Sequence, residues 1–211
     1  MMSSVTQYPA TLSVDYQDKP RDRVNVAFRL LMIIPVAIIL SLISGGSYKY
    51  TIDHITYSAG NAGGIIILAT VLMILFQQKY PKWWFDWNLA LSRFSYRFIS
   101  YLTLLRDEYP STDEDQSVHL NLVYPNVKTD LNRWMPLFKW FLAIPHYILL
   151  AFLGFAAFIC TIFAWFTIVF TGKYPKSLFD FVVGVLRWGL RVSAYSSLLI
   201  TDIYPPFSLE P

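Results

Sequence analysis

Lys79-Tyr80-Pro81-Lys82-Trp83-Trp84-Phe85-Asp86-Trp87 is restated at Lys173-Tyr174-Pro175-Lys176-Ser177-Leu178-Phe179-Asp180-Phe181. The match continues through Arg93 and Arg187, Arg97 and Arg191, Tyr101 and Tyr195, and the leucine pairs Leu104-Leu105 and Leu198-Leu199. Over 27 positions at a constant offset of 94, 11 residues are identical, where unrelated segments would share about two at ordinary residue frequencies. The chain reads as a tandem duplication.

The repeat extends upstream. Thr11 to Tyr16 alternates apolar and polar residues, and Leu12, Val14 and Tyr16 are answered by Leu120, Leu122 and Tyr124. The period of two predicts a short strand in each half. Because an isolated strand is unstable in water, the two are expected to pair in a small extramembrane sheet. A basic link then leads to Arg29-Leu30-Leu31-Met32-Ile33-Ile34-Pro35, matched by Lys139-Trp140-Phe141-Leu142-Ala143-Ile144-Pro145. Pro35 and Pro145 are read as kinks in apolar helices.

With 55% hydrophobic and 18% aromatic residues in 211, the composition lies outside the ordinary soluble range. Leu30 to Ile43, Ile65 to Phe76 and Trp140 to Gly172 carry no Asp, Glu, Lys or Arg. These runs predict an all-α membrane protein in which each repeat holds a short strand, a transmembrane helical hairpin and an interfacial amphipathic helix, with four membrane segments in all. The first repeat covers 8–110, with its hairpin at about 26–76 and its amphipathic helix at about 83–105. The second covers 118–206, with its hairpin at about 133–172 and its amphipathic helix at about 177–200, beyond an acidic linker at 111–117. The offset between halves falls from 110 to 94 across residues 44–64, a Gly- and Tyr-rich stretch read as a loop insertion. The second hairpin must make two passes from 33 charge-free residues. That allows about 25 Å each against a bilayer of about 30 Å, so Arg133 and Lys139 are expected to snorkel. No cleavable leader is read before the first apolar run, which is expected to serve as an anchor.

The net charge of +3 is interleaved with apolar segments and forms no cationic run, which argues against nucleic acid as a partner. Of 17 Lys and Arg residues, only Lys49 falls in a predicted hairpin turn. The positive-inside rule therefore places both termini, the linker and both Lys-Tyr-Pro-Lys motifs in the cytoplasm, with the chain in an inner membrane. Two halves entering from one face imply a pseudo-two-fold axis along the membrane normal.

Chemistry-bearing patterns are few. Cys160 is the single cysteine, which leaves no intramolecular disulfide to form, and His54, His119 and His146 lack metal-ligand spacing. Asp53-His54 has no accompanying nucleophile, and no glycine-rich loop opens a helix after a strand. No cofactor or metal is expected. The residues that stand out are Asp86, Arg93 and Arg97, with their copies Asp180, Arg187 and Arg191, and the flanking Lys79, Lys82, Lys173 and Lys176. Guanidiniums a turn apart beside a carboxylate suit the capture of an anionic lipid head group or a protein partner, and equally suit structural pairing between the halves. The expectation is a non-enzymatic protein, an accessory or scaffolding subunit of a larger membrane complex or a lipid-organising protein. A small lipid or solute transporter working as an oligomer is the alternative, and an enzyme acting on lipid head groups a third. The charge-free spans favour the first.

The strand, the basic helix with its proline, and the K-Y-P-K-x-x-F-D-aromatic segment with spaced arginines resemble the bacterial integral-membrane proteins grouped as domain of unknown function 4389. The resemblance runs from about Tyr8 to Pro205. It implies a membrane protein and assigns no reaction, and the Gly/Tyr-rich insertion at 45–64 is the part least expected to be shared.

Overall fold

The two alternating stretches become strands β1 (Ala10–Val14) and the later β4 (Val118–Leu122). In the computed structural model, which describes residues 8–44, 49–52, 55–58, 62–112 and 114–211, they form an antiparallel pair with Leu12 opposite Leu120 and Val14 opposite Val118. The apolar face of this pair is buried, while Ser13, His119 and Asn121 are exposed on the other. The expected pairing of the two strands is therefore present.

Asp22 caps α1 (Arg23–Met32) by accepting from the Val24 and Asn25 backbone N–H groups. The chain breaks at Ile33 and resumes as α2 (Ile34–Ser44), bent by 45°. An antiparallel hairpin, β2 (Lys49–Ile52) and β3 (Ile55–Ser58), precedes α3 (Ala62–Leu72), a π-helical turn at Met73–Gln77 and α4 (Lys82–Leu102). After β4 come α5 (Val127–Asp130), α6 (Met135–Leu142), α7 (Ile144–Thr171) and α8 (Lys176–Ser196). The protein is mostly helical, and α4 and α8 fall close to the predicted amphipathic segments.

The hairpin expectation needs correction. The second hairpin is absent: residues 133–172 form α6, a break at Ala143 and the single continuous α7 of 28 residues. At 1.5 Å per residue this helix is about 42 Å long. With no turn residue inside it, a charge-free run is as compatible with one long helix as with two short ones. Among the described residues α7 is the one unbroken helix long and apolar enough to cross a membrane; the bent pair α1–α2 would be a second if it formed one span, so four segments are not seen. In the first half the apolar runs form the separate helices α2 and α3 and the π turn, of 11, 11 and 5 residues. The stretch read as a loop insertion lies between α2 and α3, and its Tyr, Thr and Ile residues form β2 and β3 as their strand preference dictates. Residues 1–7, 45–48, 53–54, 59–61 and 113, which include Asp53-His54, lie outside the described residues. Pro35 and Pro145 each stand two residues after a break, at Ile33, where the chain bends by 45°, and at Ala143, and each occupies the first turn of α2 or α7, where its missing N–H costs nothing.

Contacts recur in pairs. The buried stripe Val26, Arg29, Ile33 and Val36 returns 110 residues later as Pro136, Lys139, Ala143 and His146. Tyr109 donates its hydroxyl to the Met32 carbonyl and Tyr204 to that of Leu142, with the Tyr101–Tyr109 and Tyr195–Tyr204 rings each 5.7 Å apart. Leu104 and Leu199, both buried, leave α4 and α8 in the left-handed region at φ 63° and 57°.

A second set of pairs crosses between the halves. Arg93 on α4 donates Nε to the Leu120 carbonyl at 3.1 Å, while Arg187 on α8 donates Nε to that of Leu12 at 3.0 Å. The Tyr16 hydroxyl reaches the Tyr174 carbonyl and the Tyr124 hydroxyl that of Tyr80. The Tyr16 ring meets Phe179 edge-on at 5.0 Å, and Tyr124 meets Phe85 at 5.1 Å. Each strand therefore lies on the amphipathic helix of the other half.

Candidate functional site

The arginine stripe forms because residues 93, 97 and 101, like 187, 191 and 195, share one face of a helix. What covers that face could not be read from helical spacing. Arg97 Nη1 donates to the Ser111 carbonyl at 2.8 Å. Arg187 Nη1 donates to the Leu209 carbonyl at 2.9 Å, and Arg191 reaches those of Ser208 and Glu210. Burial pulls Arg187 and Arg191 below the usual guanidinium range, and the charge of Arg187 adds to the effect on Arg191. These residues hold β1, β4, the linker and the C-terminal segment in place. The fit is close: a Cβ added to Gly184 would stand 2.9 Å from the Leu209 side chain and 3.0 Å from its carbonyl oxygen.

Asp86 does not orient the arginines. It pairs with Lys82 at 2.5 Å, one turn away on an exposed face. Asp180 is exposed, as are Lys79, Lys82, Lys173 and Lys176, which stand at the junctions where α4 and α8 begin. Lys79 lines a shallow groove with Tyr80, Tyr124 and Lys128, and the Lys82 ammonium lies 5.5 Å from the Tyr124 ring.

The basic residues expected to snorkel behave differently from each other. Arg133 is exposed. Lys139 is 1% exposed, donates to the Thr201 carbonyl at 2.7 Å and pairs with Asp202 at 2.7 Å. Burial lowers its proton affinity, and Asp202 opposes the shift. Its counterpart Arg29 stacks over Tyr101 at 4.3 Å, donates to the carbonyls of Tyr101 and Arg106, and pairs with Asp107 at 2.6 Å. A carboxylate against each buried cation offsets the cost of taking its charge out of water. The distance of Asp107 and Asp202 from Arg29 and Lys139 along the chain hid the pairing.

His146 is fully buried beside Trp188, Tyr204 and Phe207. Its Nδ1 accepts from the Trp188 indole at 3.1 Å, and its ring stacks on Phe207 at 4.0 Å. This is a packing role, and among the described residues no group of three or more His, Cys, Asp or Glu side chains could hold a metal ion.

The linker is tied down by Glu108, which accepts from Ser117 Oγ at 2.6 Å, Ser117 N at 3.0 Å and Arg106 at 2.6 Å. Burial pushes this carboxyl up, but those hydrogen bonds outweigh it and leave it below the ordinary carboxylate range. A depressed folded-state value gives stability that is complete above the unfolded value and is lost as pH falls through the folded one. Melting curves of wild type and Glu108→Gln should accordingly converge on acidification, with the wild type more stable near neutrality. Parallel curves across the acid range would exclude this role.

Together the fold and these contacts define a mostly helical protein with an extensive exposed apolar surface and, among the described residues, one unbroken helix long and apolar enough to cross a membrane. Residues 133–208 match the family model described as Domain of unknown function (DUF4389), so the resemblance is shown for the second half. No curated relative matches the chain. No solved structure matches it either.

Proposed function

We propose that the chain is a non-enzymatic protein of a bacterial inner membrane, acting as a scaffolding or accessory subunit of a membrane complex or as an organiser of lipid. The observation that carries the reading is the apolar coat. On α7, Phe152, Phe155, Phe158, Phe163, Phe166 and Phe170 are 50–76% exposed. At about 150–250 Å² per aromatic side chain these six rings present about 600–1000 Å², more than the few hundred a soluble monomer shows in one patch. Phe28, Leu31, Ile34, Ile38 and Ile39 extend the coat into the first half. Exposed Trp83, Trp134 and Trp140, with Lys79, Lys82, Lys173 and Lys176, supply the aromatic and cationic rim that suits an anionic lipid surface.

In this reading the chain is a tandem duplication, each unit comprising a strand, a short basic helix, a long apolar helix and an amphipathic helix, with the strands exchanged. The matched contacts and the 27-residue identity pattern support it. Both termini lie on the cytoplasmic side, consistent with the hydrogen bond from Tyr8 Oη to the Ile203 carbonyl at 3.1 Å.

Membrane fractionation tests the proposal. The protein should stay with membranes through high salt and alkaline carbonate and leave only with detergent. A partner at fixed stoichiometry after mild-detergent purification supports the subunit role, and retained anionic lipid alone supports lipid organisation. Release by carbonate would overturn the membrane reading.

A further inference from the structure

The polar sheet and the apolar helices are stacked, and the stacking constrains how the molecule can meet a bilayer. α7 ends at Thr171, with four residues between it and α8, and at the other end the Tyr147 hydroxyl donates to Ser196 Oγ at 2.7 Å. The two helices therefore run antiparallel, side by side, along the 21 residues of α8. On another side of α8, β1 follows the same course. Tyr16 meets Tyr174 and Phe179 near its start, Leu12 meets Arg187 in its middle, and the Tyr8 hydroxyl reaches the Arg191 carbonyl at 3.3 Å. Sheet, α8 and α7 thus lie along one common direction.

A helix crossing the hydrocarbon would take this whole stack with it. The sheet has an outer face of exposed Ser13, His119 and Asn121, and the Asp15–His119 contact at 3.2 Å continues that face at its end. It also has only two strands, and edge backbone groups other than the Leu12 and Leu120 carbonyls, which Arg187 and Arg93 meet, would find no water in lipid. Such a sheet belongs in water. The antiparallel pair has Leu12 opposite Leu120, both facing inward, so any two-fold axis relating the halves runs normal to the sheet. Helices that pack under the sheet in one half therefore have counterparts under it in the other. On α7 the six exposed phenylalanines centre on the side opposite the buried Ala157, Ala164 and Ile168, away from the core.

From this we infer that α7 does not cross the bilayer but lies flat along one leaflet, its six exposed phenylalanines among the acyl chains and the β1–β4 sheet in the aqueous phase. The occupant of the apolar face is the acyl layer of an anionic phospholipid surface. Exposed Lys173 and Arg133, at opposite ends of the α6–α7 segment, both stand at the same interface. This refines the membrane reading above and rests on it.

Nitroxide depth measurement separates the possibilities. Full-length protein carrying Cys160→Ser and a single cysteine replacing Phe152, Phe155, Phe158, Phe163, Phe166 or Phe170 is spin-labelled in vesicles of phosphatidylethanolamine and phosphatidylglycerol. Depth is then read from collision with oxygen against a water-soluble nickel complex. A helix lying flat places all six labels at similar depths, spread over no more than about one helix diameter of 10 Å. A crossing helix spreads residues 152 to 170 over about 27 Å along the normal, passing through the bilayer centre. That profile would overturn the flat arrangement and leave the membrane reading standing. Labels open to the nickel complex throughout would overturn both. Labels shielded from both reagents would show another protein surface, such as a second copy, in place of lipid, and would overturn the proposed occupant.

Discussion

Arg29→Met should lower the melting temperature of the detergent-solubilised protein by about 6–20 °C, the counterpart of losing about 3–5 kcal/mol when one member of a buried ion pair is removed. The side chain is 2% exposed and serves four acceptors: two carbonyls at 3.0 Å, Asp107 at 2.6 Å and Asn25 Oδ1 at 3.5 Å. Methionine fills the volume but leaves the Asp107 carboxylate with Arg21, at 3.5 Å, as its remaining ion-pair partner. Lys139→Met should act in the same direction through Asp202. Its effect should be smaller, since lysine serves one carbonyl and one carboxylate at this position. Thermal melts of the two variants check the account, and an unchanged melting point for Arg29→Met would remove Arg29 from the structural framework.

The second large effect belongs to the arginine stripe. Arg187→Gln with Arg191→Gln should cost at least about 3 kcal/mol, because charged hydrogen bonds are each worth about 1.5–3 kcal/mol and four carbonyls lose their donors together. Retention of anionic lipid should be unchanged, and added salt should not mimic the mutation, since partly buried contacts are weakly screened. Proteolysis should also cut the C-terminal segment sooner, as Leu209 and its neighbours lose their anchors. Melting temperature and co-purified lipid, measured on the same sample, decide the point. Lost lipid with unchanged stability would return these arginines to the lipid surface.

The local patterns were legible in the sequence. Alternation at Leu12 and Val14, and again at Leu120 and Leu122, gave the strands their buried face. The period-3.6 placement of residues 93, 97 and 101 gave α4 its stripe, and Lys-Tyr-Pro-Lys marked the start of each amphipathic helix. What spacing could not reveal was the partner of each face. The stripe looked wet because its covering, β4 and the linker in one case and β1 with the C-terminal segment in the other, comes from distant parts of the chain. Lys139 looked like a snorkelling cation because Asp202 returns to it only after the long helices, and the pairing of Arg29 with Asp107 was hidden in the same way. The second hairpin was misread for a different reason: the Gly- and Tyr-rich stretch at 44–64 separates two helices in the first half, and the uninterrupted run at 140–172 was interpreted by analogy with it. The lysines alone stand where the sequence placed them, exposed at the helix junctions.

The flat arrangement of α7 is tested most directly by sidedness. In a Cys160→Ser background, Arg133→Cys and Lys173→Cys place single thiols at exposed positions beyond the two ends of the α6–α7 segment, and Ser117→Cys marks the linker. In sealed inner-membrane vesicles of known orientation, an impermeant maleimide should label all three from the same side, the side of the sheet. Labelling of Arg133→Cys and Lys173→Cys from opposite sides would show that α7 crosses the membrane and would contradict the account.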